Sequence, residues 1–124
     1  MFELKIETHF AAAHQLKMVA EKSENLHGHN WKVEVVLKGE RLDKSGILMD
    51  FGEVKSHVAD IIKQLDHQFL NELEIFNDDT PPSSENIARF IAHSLDSKMK
   101  CDNARVARVS AWESDNACAT YICP

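Results

Sequence analysis

A period of two in hydrophobicity governs the first forty residues of this chain and limits what they can become. Phe2, Leu4, Ile6, Thr8 and Phe10 alternate with Glu3, Lys5, Glu7 and His9, and Trp31, Val33, Val35 and Leu37 repeat the pattern until Gly39. Successive side chains of a strand point to opposite faces, so each run makes a strand that is apolar on one side and wet on the other. Asp43-Lys44-Ser45-Gly46 is a turn signal, followed by a short extended piece at 47–51. From Gly52 the spacing changes. Val54, Val58, Ile61, Ile62 and Leu65 form a helical stripe opposite Glu53, Lys55, Asp60 and Lys63. A second helix begins after Pro81-Pro82. Ser83 or Ser84 can cap it, Glu85 suits its positive end, and Ile87, Phe90, Ile91 and Leu95 line one face. Ala107, Val109, Ala111 and Glu113 share one face of a third long strand, and 118–122 form the last.

The order strand, strand, helix, helix, strand, strand predicts an α+β fold. One domain over 1–124 would carry a four-stranded antiparallel sheet with two helices on one face. Four strands leave two open edges that the composition does little to blunt, so a homo-oligomer that closes them into a barrel is expected.

Charge narrows the partners. Twenty acidic residues against fourteen Lys and Arg give a net charge of −6 without a basic cluster. That excludes nucleic acid, whose phosphates demand a basic surface. No apolar run approaches the ~20 residues that cross a bilayer. Met1 to Lys5 has neither the basic start nor the apolar centre of a signal peptide, so no membrane and a cytoplasmic address are expected. Cys101, Cys118 and Cys123 are odd in number and lack paired zinc spacing, which reads as free thiols.

The chemistry concentrates at Leu26-His27-Gly28-His29. Residues i and i+2 of an extended segment face the same way, so His27 and His29 form a pair. His14 follows the first strand. If the first two strands pair antiparallel, His14 meets the other two, and three imidazoles with one open position make a catalytic zinc site. Imidazole also suits copper, nickel and iron, and zinc is preferred on ligand type without thiolates. The structural alternative is a set of solvated histidines at strand ends.

Phe10-x-Ala12-Ala13-His14, Leu26-His27-Gly28-His29, Leu65-Asp66-His67-x-Phe69-Leu70-Asn71, Pro82-Ser83-Ser84-Glu85-Asn86 and Glu113 occur in order over nearly the whole chain. Together they resemble the 6-pyruvoyl-tetrahydropterin synthase family, which includes the 6-carboxytetrahydropterin synthases of queuosine synthesis. The resemblance implies a tunnelling fold assembled as trimers that stack into a homohexamer, with active sites between subunits. It implies a zinc-dependent lyase acting on 7,8-dihydroneopterin triphosphate. Zinc on His14, His27 and His29 would polarise side-chain oxygens, Glu113 would anchor the pterin ring, and Ser83, Ser84 and Glu85 would line the pterin pocket. Asp66 and His67 would assist a catalytic cysteine. Without the resemblance, Ser83 to Glu85 read as a helix cap, and Glu113 and Asp66-His67 as surface groups. His9, His57 and His93 fit no part of the pattern.

One position departs from the family. Many members carry the proton-abstracting cysteine four residues before the His-Gly-His pair, where this chain has Ser23 followed by Glu24. A thiol near a cation ionises readily, whereas a serine hydroxyl needs a strong adjacent base. Three readings compete. Glu24 takes over as base, as in members that cleave the side chain to the folate precursor 6-hydroxymethyl-dihydropterin. Alternatively, Ser23 replaces the thiol of a 6-carboxytetrahydropterin synthase and traps substrate, or the chain is a non-catalytic zinc or pterin binding module. A carboxy-forming enzyme leads and the hydroxymethyl-forming reaction is its nearest rival. Another tunnelling-fold enzyme, a cyclohydrolase or an aldolase, is a further possibility, although three histidines argue against the metal-free aldolases. Lys17, Lys22 and Lys32 are the cations nearest in sequence to the histidine segment.

Overall fold

The computed structural model describes residues 1–16 and 27–124, and at His27 the backbone alone. Strand β1 (Phe2–His14) and strand β2 (His27–Gly39) pair antiparallel without a break, from Phe2 opposite Gly39 to His14 opposite His27. Helix α1 (Phe51–Ile62) follows, then the two-residue strand β3 (Gln68–Phe69), a 3-10 turn at Leu70–Glu72 and helix α2 (Ser84–Lys98). Strands β4 (Arg105–Ser114) and β5 (Ala117–Ile122) end the chain. The sheet order is β3-β1-β2-β4-β5, antiparallel except where β3 lies parallel to Ala12 and Ala13 of β1.

Alternation does what its period demands. Leu4, Ile6, Phe10 and Ala12 of β1 and Trp31, Val33, Val35 and Leu37 of β2 are buried on one face. Val54, Val58, Ile61 and Ile62 of α1 cover that face together with Ile87, Ile91 and Leu95 of α2 in a single apolar cluster. The other face is polar. Arg108 pairs with Glu3, Lys5 and Lys32 pair with Glu34, and Ser110 shares a hydrogen bond with Thr120. Among the described residues no helix is long and apolar enough to cross a membrane.

Two expectations change. Residues 47–50 form no strand, and Asp50, extended in backbone, serves as a helix cap. Asp43 Oδ1 accepts from the N–H groups of Ser45 and Ile47, Gly46 takes a φ of 79° that suits a residue without Cβ, and Asp50 Oδ2 accepts the Glu53 N–H at 3.0 Å. That cap starts α1 at Phe51. The sheet also gains a fifth strand. Asp66 Oδ1 accepts the Ala11 N–H at 2.9 Å, and the His67 N–H donates to Ala11 O at 2.6 Å. With His67 at φ 60°, these bonds turn the chain back along the edge of β1. Two residues are too few for any period to show.

Candidate active site

The β1–β2 register brings the end of the first strand to the start of the second, and the site is built there. His14 is 1% exposed, the one buried ionisable side chain among the described residues. Its ring stands edge-on to Trp31 at 5.1 Å and to His29 at 5.2 Å, and His29 meets Trp31 at 5.7 Å. Trp31 is fully buried, stacks on Phe10 and donates from Nε1 to Ala12 O at 3.4 Å. One indole therefore fixes the tilt of both imidazoles.

Glu113 completes the group. Its Oε1 lies 2.8 Å from His29 Nε2 and 3.3 Å from His14 Nε2. The carboxylate arrives through a bulge. Trp112 pairs with Cys118 and Ser114 with Ala117, which leaves Glu113 as the extra residue of β4. Bulges of this kind re-aim a side chain next to a functional site. The opposite nitrogen of His14, Nδ1, lies 2.8 Å from the carbonyl oxygen of Pro82. A carbonyl only accepts, so Nδ1 carries the proton. In the neutral ring Nε2 is then a bare lone pair facing a carboxylate, an arrangement that calls for a cation or proton between them.

The donor set fits a metal. His14, His29 and Glu113 offer ligand atoms all within 4.8 Å of one another. Tetrahedral zinc ligands at about 2.0–2.1 Å stand about 3.3 Å apart, and Glu113 Oε1 lies 2.8 and 3.3 Å from the two ring nitrogens. The backbone of His27 lies directly opposite His14. Ser23, Glu24, Lys17 and Lys22 lie outside the described residues.

Asp66 and His67 form a second group. Asp66 Oδ2 lies 3.0 Å from His67 Nδ1, and the bond from Ala11 N–H, aided by His67, holds the Asp66 carboxyl below its ordinary range. His67 is exposed. This pair lies outside the imidazole–carboxylate cluster, but His67 and His29 line one cavity of about 470 Å³ with Ala13, Gly28 and Phe69. Ser83 caps α2, its Oγ accepting the Asn86 N–H at 3.1 Å, while Ser84 and Glu85 form the first turn. Lys32 is engaged over Trp112 at 4.6 Å and with Glu34. Cys118 is exposed on β5 in register with Trp112, and all three cysteines are free.

Sequence reasoning did not find Pro82 or Trp31 as parts of the site. Trp31 reads as ordinary core from its period, and Pro82 acts through a backbone carbonyl, which no side-chain pattern announces.

A five-stranded sheet, antiparallel but for its short edge strand β3 and backed by two helices, with paired imidazoles and a carboxylate at one end, defines a metal-capable α+β enzyme scaffold. The chain belongs to the 6-pyruvoyl tetrahydropterin synthase family, whose model matches residues 3–123. It is 38% identical over 106 residues to the dihydroneopterin monophosphate aldolase of Pyrococcus furiosus, covering 86% of this chain and 84% of that protein. It is 36% identical over 123 residues to the 6-carboxy-5,6,7,8-tetrahydropterin synthase of Synechocystis, covering 93% and 88%. In structure it resembles the 6-pyruvoyl tetrahydropterin synthase of Caenorhabditis elegans, with a TM-score of 0.83, 25% identity and coverage of 99% and 96%. A Plasmodium vivax 6-pyruvoyltetrahydropterin synthase whose catalytic glutamate is replaced by alanine matches with a TM-score of 0.76 and 25% identity, covering 97% and 96%.

Proposed function

We propose that this protein is a zinc-dependent lyase that shortens the side chain of a 7,8-dihydroneopterin phosphate, with Glu24 as its base. The convergence of His14, His29 and Glu113 on one point carries the reading. His27, whose backbone lies opposite His14 in the ladder, would be the third imidazole to hold the metal. Zinc there would supply Lewis-acid polarisation of the side-chain hydroxyls.

The protein's own groups do the rest. Glu24 removes the proton of the 2′-hydroxyl, and its electron pair becomes the carbonyl of the departing glycolaldehyde phosphate. The C1′–C2′ bond breaks, and its electrons pass into the conjugated pterin ring. Return of a proton to C1′ gives 6-hydroxymethyl-7,8-dihydropterin. Asp66, which stays charged, orients His67 to move that proton. Glu113 is an acceptor pair for ring amide and amino groups, with Ser83, Ser84 and Glu85 at the same pocket. The active unit is a homohexamer in the cytoplasm.

Two features favour cleavage over the carboxy-forming reaction. Residue 23 is a serine with a glutamate beside it. The Pyrococcus relative is named an aldolase, and the Plasmodium protein is described with a catalytic glutamate. The second reading, a 6-carboxytetrahydropterin synthase, draws on the Synechocystis relative, which matches over more of the chain. Incubation with dihydroneopterin mono- and triphosphate and mass analysis of products separates them. 6-Hydroxymethyl-dihydropterin with a glycolaldehyde phosphate is expected. A carboxylated pterin with acetaldehyde would overturn the cleavage reading, and tight pterin binding without turnover would make the protein a binding module.

A further inference from the structure

Asn86 occupies the third position of α2, outside the imidazole–carboxylate cluster, and both ends of its side chain are engaged. Arg89 donates to Oδ1 at 2.5 Å. A guanidinium has only donors, so this contact settles which end of the amide is oxygen. Nδ2 is left to donate to Pro81 O at 2.8 Å. The Ser83 N–H donates to the same carbonyl at 2.8 Å, and Ser83 Oγ accepts the Asn86 N–H. Prolines bring no N–H of their own, so the Pro81-Pro82 segment cannot be tied down by donating to a neighbour. It is held instead through its carbonyls. The Pro81 carbonyl is clamped by Asn86, and the next one, Pro82 O, meets His14 Nδ1 in buried surroundings.

We propose that Asn86 is a positioning residue for His14: by clamping Pro81 it aims the Pro82 carbonyl at Nδ1 and holds the buried imidazole in the Nδ1–H tautomer, with Nε2 free to ligate. Metal-bound histidines depend on such a partner for the other ring nitrogen, and losing it weakens metal affinity about 10–100-fold. The consequence for zinc rests on the metal reading above, whereas the tautomer itself does not.

Asn86→Asp tests this with little risk to folding. An aspartate keeps an oxygen for Arg89 and suits the first turn of a helix, but it turns an acceptor towards the Pro81 carbonyl. The readouts are ring-nitrogen NMR of the metal-free protein, at a pH well above the ordinary imidazole range, and zinc affinity by competition with a chromophoric chelator. Wild-type His14 is expected as the Nδ1–H tautomer. In N86D its signals move towards a mixture, and the zinc Kd rises about 10–100-fold. Asp50→Ala, which removes the α1 cap, weakens a helix elsewhere and leaves zinc affinity at the wild-type level. The proposal is overturned by a wild-type His14 protonated at Nε2, by N86D with unchanged tautomer and affinity, or by D50A losing zinc as severely. A wild type that binds no zinc, while N86D still shifts the tautomer, sinks the metal reading and leaves the Asn86 assignment standing.

Discussion

Glu113 and His29 come within 2.8 Å of each other, oxygen to Nε2, from strands β4 and β2 that are separated in sequence by both helices. The contact sets the Glu113 carboxylate beside the two rings proposed to hold the metal, and the proposal gives the carboxylate itself the pterin ring as partner. Glu113→Ala is expected to leave zinc content near one per chain and to weaken pterin binding by at least tenfold, measured by metal analysis and titration calorimetry. Loss of the zinc equivalent would instead make the carboxylate a ligand.

On the proposed reading, removing an imidazole acts on the metal directly. His14→Ala and His29→Ala should each lower zinc content well below one per chain and abolish turnover with it. Chelator dialysis of the wild type should do the same reversibly, with activity regained on adding zinc. Full zinc content in either variant would show that the cluster is not the metal centre.

Glu24→Gln should cut turnover about 100-fold or more, the scale of a lost general base, while pterin affinity stays put. The measurement is kcat against KM with dihydroneopterin phosphate. Undiminished kcat moves the base elsewhere.

Trp31 fixes the tilt of two imidazoles and fills the core beside them. Trp31→Ala should cost about 3–5 kcal/mol in denaturant unfolding, as deletion of a buried aromatic does. Trp31→Phe keeps most of the volume but not the indole donor to Ala12. It should lose less stability and still reduce zinc affinity.

Asp66 predicts a pH dependence with a definite sign. Its carboxyl is held below the ordinary value of 3.8, chiefly by the Ala11 N–H and further by His67. A group whose folded value is depressed stabilises the fold above its unfolded value and loses that contribution as pH falls through the lower folded one. The urea midpoint should therefore decline as pH drops from 3.8 downward, and less steeply in Asp66→Asn. Identical slopes would remove Asp66 from the acid response.

The period of two in the first forty residues predicted β1 and β2, and the face it buried is the face that carries His14 and His29. Each alternating residue reports its side directly, so this much is legible in a single chain. The bulge at Glu113 is not, because it depends on how many residues β5 sets against β4 rather than on which residues they are. The Asp50 cap, which cut short the expected extended piece, was written in one carboxylate next to strongly apolar neighbours. Strand β3 comes from two hydrogen bonds to Ala11, one of them purely main-chain, and leaves no hydropathy trace. Pro82 escapes for the same reason.

The unbroken pairing of β1 with β2 has a bearing on how such a protein can change. A one-residue slip anywhere in that ladder would carry every side chain of the displaced strand through to the opposite surface, so an insertion inside either strand has to be absorbed locally as a bulge. Ser23 and Glu24 fall between the two paired segments in sequence. On the proposed reading, the stretch that carries the base can vary in sequence while the ladder that carries His14 and His29 keeps its register.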